Sequence, residues 1–339
     1  MVYMATVKKK KTRESEDVCD SELPPAKMLF PKTGVQKQEA EEQQIPIPNA
    51  EDKTKNKELM VIQERNNLEL LKKIVEMASE IFDIKEIELI GGLNIRISTS
   101  PSNWRHTHDL DFAARTEEMN SIIGMIKSLG YEYIKSKKFG GMHFKKSIQI
   151  GDKEVTHDVH VALDLIYDMS TNRMYVLKEI NGVEKQVKPM FDENKGLEIT
   201  VKAAPIEDMV LMKSMTIREK DWKDVYYLLL DAFDEIDKEK IVEKCLYSNE
   251  MERKYNPESS KFVSFQAHII DHWERMKKHV EKLDKSWLEE TKHVLIGRLD
   301  KLIDVLKKTL PENEAKELGE RYEWPEIKEA EKENGPSEI

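Results

Sequence analysis

Two carboxylates, Asp109 and Asp111, stand two residues apart in the run His108-Asp109-Leu110-Asp111-Phe112. On a β-strand, residues i and i+2 share a face, so both carboxylates converge on one point. Two negative charges held that close are unfavourable unless a cation sits between them. Magnesium suits such a pair, because it takes oxygen ligands and keeps room for waters and phosphate oxygens. Upstream, Ile87 to Ile90 reads as a short strand running into Gly91-Gly92. Glycines there let the backbone approach phosphate oxygens, and the start of a following helix offers N–H donors. A metal pair and a phosphate cradle therefore fall on adjacent elements. Each part alone is common: Asp-x-Asp recurs on solvated strands, and Gly-Gly is more often a tight turn.

The chain around these residues has 339 positions, 39% hydrophobic and 35% charged, with a formal net charge of −10. That is enough apolar material for a real core. Lys and Asp/Glu are interspersed, which reads as solvated helix faces. An acidic chain is not built as a general nucleic-acid coat, so polynucleotide contact requires a local basic patch. Cys19 and Cys245 are far apart and have no His/Cys cluster around them, which argues against a disulfide framework or a structural zinc. No apolar run approaches the roughly 20 residues of a membrane helix. The lysines near the N-terminus are not followed by an apolar segment, so no secretory signal is read there. The expectation is a soluble, cytoplasmic protein with no membrane partner.

Residues 1–56 read as a disordered tail, with Lys8 to Lys11, an acidic stretch and Pro-rich and Gln/Glu-rich pieces. The lysine run suits a flexible tail or a nucleic-acid-binding arm. Helical spacing begins near Lys57 and ends at Asp83. Leu110, Phe112 and Ala114 alternate with Asp109, Asp111 and Ala113 in strand periodicity. Residues 117–129 predict a helix, and Tyr131 to about Val201 reads as β, including one long strand from Val155 to Tyr167. After Pro205 the pattern is helical. The reading is α+β: a catalytic region at 57–204 with a mixed sheet and flanking helices, an α-helical region at 205–330, and a flexible end at 331–339.

The stretch Ile90-Gly91-Gly92 followed by Asp109-Leu110-Asp111-Phe112 resembles the signature of nucleotidyltransferases of the DNA polymerase beta type. A second match runs from Asp208 to Lys213 and from Arg218 to Asp224. It is similar to the helices of the AbiEii-like toxin and antibiotic-modifying branches. The resemblance covers about 85–235 and, more loosely, 265–283 around Asp271-His272-Trp273. It implies two-metal transfer of a nucleoside monophosphate from an NTP, with Mg2+ or Mn2+ held by Asp109 and Asp111. It also implies phosphate contacts from Gly91, Gly92 and Lys213, a supporting acid at Asp221 or Asp224, and a third carboxylate on a later strand. Asp164, between Leu163 and Leu165, is the preferred third carboxylate, and Asp158 is the other candidate. The acceptor stays open among RNA (a tRNA end included), a protein hydroxyl and a small molecule. A toxin with a protein antitoxin fits the AbiEii-like branch.

Residue by residue, plainer readings stand beside these. Lys213 also reads as a snorkelling lysine, and Asp221 and Asp224 as surface acids paired with Lys220 and Lys223. Lys135, Lys137, Lys138, Lys145 and Lys146 form a basic hairpin with interleaved aromatics. It suits a phosphate backbone, or simply a solvated hairpin with its rings in the core. His108 reads as a loop residue or a partner of Asp109, and a histidine metal site is not expected. The non-enzymatic alternative is an inactive nucleotidyltransferase-fold module that binds protein or nucleic acid.

Overall fold

The computed structural model describes residues 50–134, 141–150, 153–255, 263–283, 287–312 and 314, with the backbone alone at 50–56 and 153. Residues 1–49, 135–140, 151–152, 256–262, 284–286, 313 and 315–339 lie outside the described residues. They carry most of the expected tail, three lysines of the basic hairpin and the expected flexible end. The described residues belong to one unit, 35–339.

Helix α1 (Ala50–Glu80) begins seven residues before the position its apolar spacing marks. It leads into β1 (Ile87–Ile90) and α2 (Gly91–Ile97), then β2 (Leu110–Ala114) and α3 (Met119–Ser128). The β region follows with β3 (Glu132–Ile134), β4 (Gly141–Ile150), β5 (Lys153–Leu163), β6 (Leu165–Asp168), β7 (Arg173–Val176), β8 (Val183–Val187) and β9 (Ile199–Ala203). Among the described residues five helices follow: α4 (Ile206–Ser214), α5 (Glu219–Asp231), α6 (Lys238–Tyr255), α7 (Phe265–Lys282) and α8 (Glu289–Lys307). The α+β order expected from the sequence is therefore present. Among the described residues, no helix is long and apolar enough to cross a membrane.

Among the described residues the main sheet has seven strands in the order β3-β4-β5-β2-β1-β9-β8, with β6 and β7 paired separately. It is mixed: β1 runs antiparallel to β2 and parallel to β9, and β2 runs parallel to β5. The alternation along β2 sorts its two faces. Leu110, Phe112 and Ala114 pack with Leu68, Leu71 and Ile74 of α1 and Ile122 and Met125 of α3. Burying each such aliphatic side chain contributes about 1.5–3 kcal/mol. Ala113 looks the other way, into an apolar cluster with α4 to α8. Asp109 and Asp111 share the Ala113 face by parity, so they open where the sheet meets the C-terminal helices.

The long strand expected from Val155 to Tyr167 is broken. Asp164 has φ +57, a left-handed conformation that Asp tolerates better than most residues. Its amide donates to Ala114 O and its carbonyl accepts from Leu177 N, so the chain leaves the main sheet after Leu163 and pairs as β6 with β7.

One buried acid on β1 is not part of the site. Glu88 is 1% exposed, and neither of its carboxylate oxygens meets a hydrogen-bond partner among the described residues. Burial, then the nearby Asp208 charge, pushes its pKa up from 4.5 to about 8, against the opposing charge of Lys244. The folded state holds this proton more tightly than the unfolded chain, so stability falls as pH rises through that window, by up to about 1.4 kcal/mol per unit. Glu88→Gln is expected to flatten that slope and raise the urea midpoint at pH 8. A midpoint series from pH 5 to 8 reads it directly, and parallel slopes for the two proteins would refute the assignment.

Candidate active site

The site begins at the end of β1. Ile90 pairs with Asp111, and Gly91 follows with φ +70. A Cβ on Gly91 would lie 2.1 Å from Asp111 Oδ2, so only glycine permits both the turn and the carboxylate. Gly92 is tight too: a Cβ there would sit 3.0 Å from the Thr107 hydroxyl. That hydroxyl donates to Asp109 Oδ1 at 2.9 Å. Burial opposes charge on Asp109, but the Thr107 bond and the neighbouring His160 hold its pKa below the usual carboxylate range. Thr107, rather than His108, is thus the partner of Asp109; His108 Nδ1 lies 3.1 Å from Gln63 Oε1.

His160 is the residue the sequence reading passed over. Parallel pairing sets it beside Asp111, with Nδ1 3.2 Å from Asp111 Oδ1 and 3.8 Å from Asp109 Oδ2. Burial lowers its basicity, yet the bond to Asp111 and the charges of Asp109 and Asp158 raise its pKa overall. Asp109, Asp111 and His160 offer ligand atoms within 4.8 Å of one another. Two carboxylates, an imidazole and a backbone turn that only glycine can make fit a divalent cation.

Opposite the carboxylates stand three cations: Lys213 on α4, Arg218 just before α5 and Arg105 in the loop before β2. Lys213 Nζ donates to Asp221 Oδ1 at 2.6 Å and lies 3.1 Å from Asp224 Oδ2. Arg105 forks onto Asp224 through Nε and Nη2, both at 2.7 Å. Asp221 also accepts from Thr216 Oγ1 at 2.8 Å and Arg218 Nε at 2.6 Å. Both acids are fully buried, so the plain reading of surface acids paired with Lys220 and Lys223 does not hold. Burial works against charge on Asp221, but Lys213 and Arg218 hold its pKa far below the usual range. Lys213 stays protonated for the converse reason, its burial outweighed by Asp221 and Asp224. Helix α7 fixes this wall: His272 Nδ1 lies 2.7 Å from Ser214 O, and Trp273 Nε1 donates to Ser214 Oγ at 2.7 Å.

Between the walls lies a cleft of about 290 Å³ that reaches Gly91, Asp109, Asp111, His160, Lys213 and Arg218. Ile166, Tyr167, Met209 and Met212 give it an apolar side, the mixed lining expected of a small-molecule site.

The structure does not bring Asp164 into this group. Its Oδ1 accepts from Arg115 Nη1 at 3.0 Å, and its Oδ2 from the Thr116 amide and hydroxyl. The left-handed turn at Asp164 aims the carboxylate at that loop. The carboxylate expected as a third metal ligand is thus not among the residues gathered around Asp109 and Asp111; Asp164 fastens the β5–β6 corner to the end of β2. Asp164→Ala is expected to lower stability by about 1–3 kcal/mol, because Ala gives up the bonds and resists positive φ. Asp164→Asn, which tolerates that φ, should lose less. Chemical denaturation of the pair checks this, and equal losses would remove the backbone part of the explanation.

Asp158 stands closer to the site than Asp164 does. His143 Nε2 meets its Oδ1 at 2.6 Å, one imidazole away from the Asp109–Asp111 pair. Of the basic hairpin, Lys145 is exposed, while Lys146 donates to Leu129 O and lies over the Tyr131 ring. Phe144 and Tyr131 are buried, so these rings serve the core rather than a stacking surface.

No family model matches the chain, and no curated protein matches it. Ten chains of solved structures match it, three of which follow. JHP933 from Helicobacter pylori gives a TM-score of 0.38 at 14% identity, covering 76% of this chain and 98% of that one. MenT4, a nucleotidyltransferase toxin from Mycobacterium tuberculosis, gives 0.39 at 12% identity, over 76% and 88%. The antibiotic-resistance factor ANT(2'')-Ia, known from a solution structure, gives 0.29 at 13%, over 65% and 100%. TM-scores this low assign no residue a role.

Proposed function

We propose that this chain is a metal-dependent nucleotidyltransferase, moving a nucleoside monophosphate from an NTP to an acceptor hydroxyl. One observation carries the reading: a glycine turn closed on Asp111, with Asp109 and His160 beside it, faces a wall of lysine and arginine across one cleft. A triphosphate with its divalent ion needs that division of charge, carboxylates for the ion and cations for phosphate oxygens.

In this reading Asp109 and Asp111 hold Mg2+ or Mn2+, with His160 beside them. The bound ion would neutralise phosphate charge and acidify the acceptor hydroxyl. Thr107 keeps Asp109 aimed, through its 2.9 Å bond. Gly91 and Gly92 let the backbone approach phosphate, and Lys213 and Arg218 present positive charge to the triphosphate end. Asp221 and Asp224 hold Lys213 and Arg105 at fixed positions in the wall, so that little rearrangement is needed when phosphate arrives. The apolar side formed by Ile166, Tyr167 and Met212 is suited to a base.

An RNA or tRNA end, a protein hydroxyl and a small molecule all remain acceptors compatible with this cleft, and an antitoxin partner belongs to the toxin version of the proposal. Calorimetry of ATP with and without magnesium, followed by labelled NTPs offered to total RNA, protein and aminoglycoside, tests it. Magnesium-dependent binding with label appearing in one acceptor class supports the reading. Binding without any transfer would favour the inactive binding module.

A further inference from the structure

A second cluster of ligating side chains adjoins the carboxylate pair. His143 on β4 and His160 on β5 are directly paired across the antiparallel ladder. Their ring centroids are 4.5 Å apart. Asp158, two residues from His160 on the same face of β5, reaches His143 Nε2 at 2.6 Å. His143, Asp158 and His160 offer ligand atoms within 4.8 Å of one another.

We propose that these three residues form a second cation position, distinct from Asp109–Asp111, that takes a borderline transition ion such as Zn2+ or Co2+. Ligands about 2.1 Å from a tetrahedral ion lie roughly 3.4 Å apart. From a spread of at most 4.8 Å the widest pair of donors has to close by up to about 1.4 Å, while the 2.6 Å contact between His143 and Asp158 opens, both by rotation of the side chains. The donor set decides the class of ion. Magnesium demands oxygen and gives up water reluctantly, whereas imidazole nitrogen suits zinc, cobalt and their neighbours. Both strands are interior members of the sheet, so the donors sit on a rigid ladder instead of a loop.

Lys145 is the resident competitor, with Nζ 3.9 Å from Asp158 Oδ1. Its side chain is 46% exposed, and an exposed pair of this kind yields easily. His160 belongs to both groups, since its Nδ1 also faces Asp111. An ion at the histidine position would therefore sit beside the carboxylate pair and restrain the ring that borders it. This inference goes beyond nucleotidyl transfer and does not require it.

The test is a titration of the metal-stripped full chain with Co2+, read by its visible absorption, with Zn2+ and Mg2+ as competitors. Wild type should bind Co2+ with the stronger absorption of a nitrogen-containing site, displaced by Zn2+ and not by millimolar Mg2+. His143→Ala should weaken that binding by at least about 10-fold, the loss typical even of outer-shell partners. His143→Gln, similar in size and polarity, replaces it if the alanine variant unfolds. Asp158→Asn should weaken binding as well, while the double variant Asp109→Asn/Asp111→Asn should retain the histidine-dependent band. Displacement by Mg2+, an undiminished band in the His143 variants, or loss of the band in the Asp109/Asp111 double variant would each overturn the proposal. None of these readouts depends on transfer activity, so a failed transfer assay leaves the result standing.

Discussion

Asp111→Asn is expected to abolish labelled-nucleotide transfer while leaving the fold in place. The carboxylate is partly exposed on the cleft, with a side-chain exposure of 28%, so little packing rests on it. Its Oδ2 occupies the space that the missing Cβ of Gly91 leaves, and an asparagine fills that space without the charge. If a bound ion stabilises the transition state by several kcal/mol, losing its principal ligand at a scale of about 4 kcal/mol lowers turnover roughly 10³-fold. The measurement is single-turnover transfer in magnesium, with thermal melting alongside. Melting should move little, and removing one of two like charges can even raise it slightly when metal is absent. Gly91→Ala should copy the defect by another route, since the new methyl would collide with Asp111 and strain a φ of +70. An Asp111→Asn protein that turns over at the wild-type rate would end the metal assignment.

Much of this geometry could be read from the chain, and the rest could not, for identifiable reasons. The alternation of Leu110, Phe112 and Ala114 with Asp109, Asp111 and Ala113 fixes which face of β2 is wet, because strand periodicity is local. The glycine turn is local too. His160 depends on register: only the pairings Asp111 with His160 and His143 with His160 show that the histidines reach the carboxylates. A sequence in which each strand is read alone carries no such information. The turn at Asp164 is hidden for a related reason. Residues 155–167 have unbroken strand character, and nothing in the sequence marks the left-handed Asp164 that ends β5. A retrospective signal exists in Arg115-Thr116, a donor pair just past β2, but its use needs the parallel β2–β5 alignment. Lys213, Asp221 and Asp224 were identifiable through family resemblance, yet Arg105, 119 positions from its partner Asp224, was not.

That buried network supports the second large expected effect. Asp221→Ala should destabilise the protein by about 3–5 kcal/mol, the usual result of removing one partner from a buried pair. Asp221 is fully buried and accepts from Lys213, Thr216 and Arg218. The Arg218 bond contributes least, because that side chain is 57% exposed and screened by water. The weight falls on Lys213, whose side chain is 13% exposed and would keep only Asp224. The pH dependence has a definite sign. The Asp221 pKa is depressed in the folded state, so its stabilisation is present above the ordinary carboxylate range, near 4. It is lost as pH falls below that range. Wild type should therefore lose stability toward acid more steeply than Asp221→Ala. A double-mutant cycle with Lys213→Met isolates the pair: the double variant should be more stable than the two single losses predict, by at least about 1 kcal/mol. Urea denaturation of the four proteins at pH 7 gives that coupling. A coupling near zero would mean that Asp224 alone neutralises Lys213, and the acid nearest the lysine would then have no part in holding it against the cleft.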